Sequence, residues 1–349
     1  MPSYVKINDI GDKAERDRIV DKLLALRAQL DGQIPAKTAT DTLLLATWNI
    51  RRFTDNRRVE SLYYLAEIIN RFDLVAIQEV TSNLDGLHKL MDLLGHNWDY
   101  IVTDSTEGGE GMGERMAFVY DRCKVFFKKM AGEIVLPPKS LIGGELQFAR
   151  TPYSVAFQAG WFKFILTTVH IIYGSGMKDD PKRVAEIKAI AEFINRRAAK
   201  EGANYILLGD FNIFKHSDAT MKALLDQDFY IPNEIRENPT VLGAGKFYDQ
   251  IAFKLRIDDN MMVFTEGRQR AGAFNFTETV YPPSEVDVYK RYFEPKNTEN
   301  KTADQIKTYY MNTWRTNQIS DHLPLWIELK IDFSNQYLKR INNPPLPKR

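Results

Sequence analysis

The chain has a single cysteine, Cys123, among its 349 residues. An intrachain disulfide is therefore excluded, and the fold must be held together by its apolar core. The N-terminal residues MPSYVKINDIGDKAERDR lack the apolar stretch of a secretory signal. Together these two absences predict a protein of the reducing cytoplasm.

Long apolar runs and a dominant charge are missing as well. No run approaches the roughly 20 apolar residues that cross a bilayer, so no transmembrane segment is predicted. The formal net charge is only +1, which leaves no global field to attract polyanions. Affinity for a phosphate-rich partner must come from local arginines such as Arg51, Arg52, Arg57 and Arg58. A solvated helix start is the alternative interpretation of these arginines.

The composition, 44% hydrophobic and 27% charged, is that of a globular protein with layered cores. The short apolar runs LLLAT, LVAI, FILTTV and YILL predict buried strands, and SVAFQAG followed by FKFILTTVHI predicts a hairpin. Helical periodicity separates these runs at about 13–31, 58–72 and 181–200. The pattern predicts an α+β fold, a four-layer α/β/β/α sandwich of two mainly antiparallel sheets flanked by helices.

The chain divides into three predicted parts. They are an N-terminal helical extension (1–42), one domain (43–333) with an insertion at about 282–317, and a C-terminal tail (334–349) that ends in the disorder-prone NNPPLPKR. In the extension, Ile19, Leu23, Leu26 and Leu30 recur at helical spacing. We expect this helix to pack on the domain. A short oligomerisation seam is the alternative, and the sequence leaves the oligomeric state open.

Polar clusters follow the apolar runs at the points where the predicted strands end. The residues in them that carry chemistry are Asn49, Glu79, His170, Asp210, Asn212, Asp249, Asp321 and His322. A single acid after a strand usually caps a helix or a turn. Because so many clusters recur in one chain, we expect the side chains to meet at one edge of the sheets and to form a site.

The acids in these clusters suit a divalent cation. Glu79, Asp210 and Asp321 supply hard oxygen ligands, and Asn49 adds a neutral oxygen. Such a donor set fits Mg²⁺ or Mn²⁺ and does not fit zinc, and Ca²⁺ as a structural ion is a further option. Phosphodiester hydrolysis requires a cation of this kind, a base for water, and donors aimed at the developing charge.

The histidines and amides of the clusters supply the remaining groups. His322 is the candidate general base, and Asp249 is the carboxylate expected to set its tautomer. His170 is the second candidate imidazole, near the scissile phosphate. Asn212, two residues after Asp210, is placed to donate its amide to a phosphate oxygen. For Asn212 and Asn49, a turn residue is the alternative interpretation.

The motifs TWNI, IQEV, LLGDFNIF, YDQIAF and ISDHLPLWIEL occur in this order within residues 43–331. They resemble the motifs of the endonuclease/exonuclease/phosphatase superfamily. TTVHI is similar to the segment that carries the first catalytic histidine of the pancreatic-deoxyribonuclease-like branch, which places His170 in that role.

The resemblance implies the four-layer fold, a divalent metal near Asn49, Glu79, Asp210 and Asp321, and two acid–imidazole pairs. GERMAFVYD resembles the stretch whose glutamate pairs with the first histidine, which implies that Glu114 is the partner of His170. RTP resembles a segment that contacts phosphate, which implies that role for Arg150. An exposed loop acid and a surface ion pair are the respective alternatives.

Three functions are compatible with these residues. The first is a metal-dependent endonuclease that nicks DNA, with nucleic acid as its partner. The second is a phosphodiesterase or phosphatase that acts on a phospholipid, on sphingomyelin or on an inositol phosphate. Inositol phosphatases carry Trp-Cys-Asp-Arg where this chain has FYDQ at 247–250, which argues against an inositol phosphate. The sequence also predicts no exposed aromatic hairpin for a membrane. The third is an inactive binding module, which the complete set of ligands and imidazoles disfavours.

Overall fold

A computed structural model describes residues 2–106, 113–256, 263–264 and 270–342 of the chain. The strands in these ranges are β1 (Thr42–Phe53), β2 (Leu74–Val80), β3 (Trp98–Val102), β4 (Arg115–Asp121), β5 (Val125–Glu133), β6 (Tyr153–Ala159), β7 (Phe162–His170), β8 (Tyr205–Asp210), β9 (Asp249–Lys254), β10 (Ala271–Ala273) and β11 (Leu325–Lys330).

The helices lie between these strands and around them. The first six α-helices are α1 (Lys13–Gln33), α2 (Val59–Asn70), α3 (Asp85–Leu94), α4 (Pro181–Glu201), α5 (Ala219–Leu225) and α6 (Asn233–Arg236). Later helical segments are Val286–Tyr289, Ala303–Tyr309, the π-helix Tyr310–Trp314, Arg315–Gln318 and Ser334–Asn342. In the described ranges, every helix is too short or too polar to cross a membrane.

Within the described residues the strands form two sheets. The first sheet has the order β10-β11-β1-β2-β4-β3, and the second has the order β5-β6-β7-β8-β9. Only β1 with β2 and β7 with β8 pair in parallel among these strands. The predicted α+β fold with two mainly antiparallel sheets is therefore confirmed.

The central strand β1 is buried on both faces. Leu43 and Leu45 belong to the core that includes side chains of both sheets, whereas Leu44 and Ala46 belong to a second core that includes side chains of α1, α2 and α3. Successive side chains of a strand point to opposite faces, so a continuous apolar run is what a strand between two apolar layers requires. On the other side of the molecule, α4 joins the first core through Ile187 and its neighbours on the same helix face.

Helix α1 packs on the body of the domain. Its Ile19, Leu23, Leu26 and Leu30 are buried in the same core as α2. The helix therefore packs on the domain, as the sequence predicts. The domain boundary at residue 42 stays a prediction.

The segment predicted as an insertion contributes apolar side chains to this outer core. Tyr289, Tyr310 and Trp314 are buried there, and the Trp314 ring lies 5.2 Å from that of Tyr281. These rings form part of the core under the first sheet, so the segment is more than a surface loop. In the tail, Ser334–Asn342 is helical, and 343–349, which hold all but the first residue of NNPPLPKR, lie outside the described residues.

The start of α4 is fixed by Asp180, because its carboxylate accepts hydrogen bonds from several amides. The donors are the backbone N–H groups of Lys182, Arg183 and Ser175, at 3.0, 3.2 and 2.8 Å, and the Ser175 hydroxyl at 2.6 Å. Burial alone would raise the pKa of Asp180, but these hydrogen bonds lower it to about 2. This cap anchors the loop that follows His170.

We expect Asp180→Ala to lower the free energy of unfolding by about 1–2 kcal/mol, the usual range for loss of an N-cap. Because the folded-state pKa is depressed, the stabilisation is present above the ordinary value of 3.8 and is lost as the pH falls toward about 2. Urea denaturation at several pH values measures this loss. The control is Asp12→Ala, which removes the exposed cap of α1 and should cost less. Equal losses in the two variants would contradict the assignment.

Candidate active site

Three neighbouring strands of the second sheet align His170, Asp210 and Asp249. His170 ends β7, Asp210 ends β8, and Asp249 begins β9. His170 pairs with Asp210 in the parallel ladder, and Asp249 pairs with Asp210 in the antiparallel ladder on the other side. Strand register alone therefore places an imidazole and two carboxylates side by side, and all three side chains are buried.

Gly209 permits the close approach of β7 and β8 at this edge. Its φ of +132° is unfavourable for residues with a side chain, and a Cβ atom would lie 2.1 Å from the carbonyl oxygen of Val169. Any other residue here would displace β8 from β7 beside His170. The glycine of the LLGDFN run is thus a packing requirement of the site.

Asn49 connects the first sheet to the second. Its Nδ2 donates to Glu79 Oε1 at 2.9 Å and to Asp210 Oδ2 at 3.1 Å. Glu79 sits at a positive φ of 60°, and its Oε2 accepts the backbone N–H of Arg52 at 2.9 Å. The amide of Asn49 therefore holds one carboxylate from each sheet.

Glu79 is held in its charged form. Burial would raise its pKa, but the positive charge of His170 and the hydrogen bonds from Arg52 and Asn49 outweigh this effect and lower the pKa below the ordinary value. A carboxylate that stays ionised is the form that binds a cation.

His322 and Asp249 form a buried pair. His322 Nδ1 lies 2.7 Å from Asp249 Oδ2, and His322 Nε2 lies 3.8 Å from Asp210 Oδ2. Burial lowers the pKa of His322, but Asp249 and Asp210 outweigh burial and raise it to about 10. The predicted partners are therefore in contact, and Nε2 faces the acidic centre.

His170, Glu114 and Arg150 form a second cluster. His170 Nδ1 lies 3.0 Å from Glu114 Oε2, although the two atoms are not aligned for a hydrogen bond, and His170 Nε2 lies 3.6 Å from Asp210 Oδ2. Arg150 Nε donates to the same Glu114 oxygen at 2.6 Å. Burial lowers the pKa of His170, while contact with Glu114 and the charges of Asp210 and Glu79 raise it, and the net shift is upward. Arg150 is thus a partner of Glu114 at the edge of the site.

Asn212 lies beside Asp210 and is tied to the backbone. Its N–H donates to Asp210 Oδ1 at 2.8 Å, and its Nδ2 donates to the carbonyl of Ile171, also at 2.8 Å. An amide nitrogen carries two hydrogens, so one remains for a ligand. The positive φ of 53° at Asn212 turns the chain at this point.

Asp321 is paired with an arginine. Its side chain is 40% exposed, and its Oδ2 lies 3.5 Å from Arg51 Nη1. Among the described residues, the acids and histidines that lie close enough together to hold a metal ion are Glu79, Glu114 and His170. A role for Asp321 as a ligand therefore stays a prediction.

The other arginines near the first motif differ in role. Arg57 and Arg58 are engaged in the fold, since Arg57 donates to the carbonyl of Ile319 at 2.7 Å and Arg58 pairs with Glu60 at 2.5 Å. Arg51 donates to Thr316 Oγ1 at 2.9 Å, whereas Arg52 is exposed and donates its backbone N–H to Glu79. Of these four arginines, Arg52 is therefore the best placed to contact a phosphate chain.

The residues present fit a divalent cation. Glu79, Glu114 and His170 offer ligand atoms within 4.8 Å of one another. Asn49 Oδ1 is buried and has no hydrogen-bond partner in the described structure. A buried, unpaired amide oxygen beside acidic side chains is a costly arrangement that a hard cation would satisfy.

Two positioning residues have no role assigned from the sequence. Ser320 Oγ donates to the carbonyl of Asn49 at 2.6 Å and accepts the N–H of His322 at 2.9 Å. Glu186, buried on α4, accepts the N–H groups of Ala149 and Ile172 at 2.6 and 2.8 Å, which lie next to Arg150 and near His170. Ser320 lies within the ISDHLP motif, and this motif is the sequence signal that could have identified it as a site residue. Nothing in the helical pattern distinguishes Glu186 from an exposed glutamate.

The family model of the endonuclease/exonuclease/phosphatase family matches residues 46–284 of the chain. The chain belongs to this family. The match includes every proposed site residue except Asp321 and His322, which lie beyond residue 284.

Two curated relatives agree with the resemblance to the deoxyribonuclease branch. The chain is 26% identical over 205 residues to Deoxyribonuclease-1 of Canis lupus familiaris, which covers 56% of this chain and 66% of that protein. It is 25% identical over 207 residues to Deoxyribonuclease-1 of Equus caballus, which covers 56% of this chain and 67% of that protein. The chain thus spans just under two thirds of the dog protein.

Solved structures share the fold at lower identity. An endonuclease/exonuclease/phosphatase family protein from Bacteroides thetaiotaomicron has a TM-score of 0.54 and 16% identity, over 83% of this chain and 98% of that one. A mannosyl-6-phosphatase from the same organism has a TM-score of 0.51 and 17% identity, over 82% and 99% of the two chains. At this identity the likeness concerns the fold alone.

Cation binding should be measurable without any reaction. We expect Mg²⁺ or Mn²⁺ to raise the melting temperature of the protein, because a ligand at 100 times its Kd stabilises the folded state by about 2.7 kcal/mol. Glu79→Gln should remove most of this shift, since it removes an ionised ligand. Glu133→Gln, at an exposed carboxylate on β5, is the control and should keep the full shift. A wild-type melting temperature that does not respond to either cation would contradict the assignment.

Proposed function

We propose that the protein is a divalent-metal-dependent phosphodiester hydrolase, and specifically an endonuclease that nicks DNA. The observation that carries this proposal is the convergence of two acid–imidazole pairs on one carboxylate. His170 Nε2 and His322 Nε2 lie 3.6 and 3.8 Å from the same atom, Asp210 Oδ2. Two imidazoles that face one acidic centre are suited to act on opposite sides of a single phosphate.

His322 is the proposed general base. Asp249 lies against Nδ1, which favours a proton on that nitrogen, so Nε2 is the atom that would accept a proton from water when the ring is neutral. Asp249 would then stabilise the imidazolium that forms. The role of Asp249 is thus to orient the ring and to offset its charge.

His170, Asn212 and Arg150 are proposed to bind the phosphoryl group. The raised pKa of His170 favours the protonated ring, whose Nε2–H can donate to a phosphate oxygen. Asn212 has one amide hydrogen left for the same purpose. Arg150 Nε lies 2.6 Å from Glu114 Oε2, the same oxygen that faces His170 Nδ1, and so adds positive charge close to His170.

Asn49, Glu79 and Asp210 are the residues proposed to hold the cation, with Glu114 and Asp321 as further acids nearby. When bound, a divalent cation would offset negative charge on the phosphoryl oxygens and on the carboxylates that raise the pKa of His322. Magnesium and manganese both suit this oxygen-rich set.

DNA is the proposed substrate because the two curated relatives are named deoxyribonucleases. The alternative is a phosphoester of a lipid, an inositol or a sugar, as in the mannosyl-6-phosphatase with the same fold. An inactive binding module is less well supported, since both acid–imidazole pairs are in contact.

One exposed aromatic side chain is relevant to lipid substrates. Trp161, at the turn between β6 and β7, is 52% exposed. However, Trp161 precedes β7 and His170 ends it, so a strand of about 30 Å separates the two. Trp161 is therefore not placed to hold a lipid at the site.

The decisive experiment is a nicking assay on supercoiled plasmid with Mg²⁺ or Mn²⁺. We expect the wild-type protein to nick, chelator to abolish nicking, and His322→Ala or His170→Ala to reduce the rate by about 10²- to 10⁴-fold, the usual range for loss of an acid–base group. Glu133→Gln is the matched surface control.

Parallel assays with sphingomyelin, a phosphoinositide and mannose 6-phosphate distinguish the substrate classes. Cleavage of one of these without nicking of plasmid would replace the endonuclease proposal by the corresponding phosphoesterase. Nicking that survives chelator or His322→Ala would refute the mechanism.

A further inference from the structure

An aromatic ribbon extends from His322 to the protein surface. The Tyr248 ring centroid lies 5.7 Å from that of His322, the Phe214 ring stacks on Tyr248 at 5.4 Å, and Tyr173 lies 6.3 Å from both Phe214 and Tyr248. Tyr248 is buried, Phe214 is partly exposed, and Tyr173 is 46% exposed. The ribbon therefore begins at the proposed base and ends in solvent.

Cations lie against the rings of this ribbon. The buried Arg183 guanidinium is 5.0 Å from the Phe214 centroid and 5.4 Å from the Tyr173 centroid. It also donates to the carbonyl oxygens of Tyr173, Met177 and Ile172, so it fixes the loop that carries Tyr173. Such contacts hold the rings in place before any ligand arrives.

Lys246 adds a charge on the exposed part of the ribbon. Its Nζ lies 4.0 Å from the Phe214 centroid and donates to the Tyr248 hydroxyl at 2.8 Å. An ammonium has three hydrogens, so donors remain for an anion. Aromatic faces together with a cation, one step from a phosphate-cleaving centre, match the chemistry of a nucleotide.

We propose that Tyr173, Phe214 and Lys246 form a nucleotide-binding subsite, in which the exposed Tyr173 ring stacks on an unpaired base adjacent to the scissile phosphate, Phe214 supports that ring, and Lys246 pairs with a neighbouring phosphate. This inference rests on the proposed function. Bases inside a duplex are stacked on each other and do not present a free face to a side chain. The subsite therefore favours single-stranded DNA, or strand ends that fray, over intact duplex.

Binding tests the subsite without cleavage. The protein with Asp249→Asn and Mg²⁺ is titrated with labelled oligothymidine, with an abasic strand of the same length, and with a hairpin duplex, and Kd is read by fluorescence anisotropy. We expect Tyr173→Ala to weaken oligothymidine binding by about fivefold or more, the lower end of the range for one base stacked on an aromatic ring. Tyr173→Phe should retain the affinity. Trp161→Ala, which removes a similarly exposed aromatic side chain far from the site, is the control and should have no effect.

The abasic strand separates stacking from charge. The loss caused by Tyr173→Ala should be several times smaller on this strand, whereas Lys246→Ala should weaken both strands alike and reduce the salt dependence of binding. Any of four results would overturn the proposal. Tyr173→Ala weakens binding of both strands equally, Trp161→Ala causes the same loss, duplex and single strand bind with equal affinity, or no binding is detected.

Cleavage of the same oligonucleotides separates this inference from the proposed function. If the wild-type protein binds oligothymidine through Tyr173 but cleaves neither oligonucleotides nor plasmid with any divalent cation, the endonuclease proposal fails and the subsite stands. If the wild-type protein nicks plasmid and Tyr173→Ala has no effect on any strand, the subsite fails and the endonuclease stands.

Discussion

The contact between Asn49 and Asp210 is the interaction on which the arrangement of the site depends. It crosses from β1 of the first sheet to β8 of the second, at 3.1 Å. The same carboxylate oxygen faces His170 and His322. Both imidazoles and the proposed cation ligands are therefore positioned relative to each other only if the two sheets pack in one register and at one distance. The large apolar core between the sheets is what makes that distance reproducible.

A polar contact beneath the site reinforces this packing. Gln78 is fully buried, and its Nε2 donates to Thr168 Oγ1 of the opposite sheet at 2.9 Å. Both residues lie close to a site residue in the sequence. Glu79 follows Gln78 directly, and His170 lies two positions after Thr168. A buried amide between apolar layers costs free energy unless it is paired, so this contact favours one relative placement of the sheets over others.

Much of the architecture was predictable because it depends on patterns that are local in sequence. The runs LLLAT and YILL predict strands buried on both faces, and β1 and β8 are such strands. The pairing of His322 with Asp249 was also predictable, because the family resemblance supplied contacts between residues far apart in the chain. By contrast, the exposure of Arg52, the hydrogen bond of Arg57 and the pairing of Asp321 with Arg51 depend on side-chain directions, which no periodic pattern encodes. The buried Glu186 eluded prediction for the same reason.

The distribution of charge within the site indicates where a cation is needed. Glu114 is neutralised by Arg150 and faces His170, and Asp249 faces His322. Among the described residues, Glu79 and Asp210, which share the Asn49 amide, have no ion pair with a lysine or an arginine, and the imidazoles lie 3.6 Å or more from Asp210. Buried carboxylates are expensive unless a positive charge compensates them. Glu79 and Asp210 thus lie where both sheets and both imidazoles meet, and a cation bound between them would stabilise the folded state by mass action.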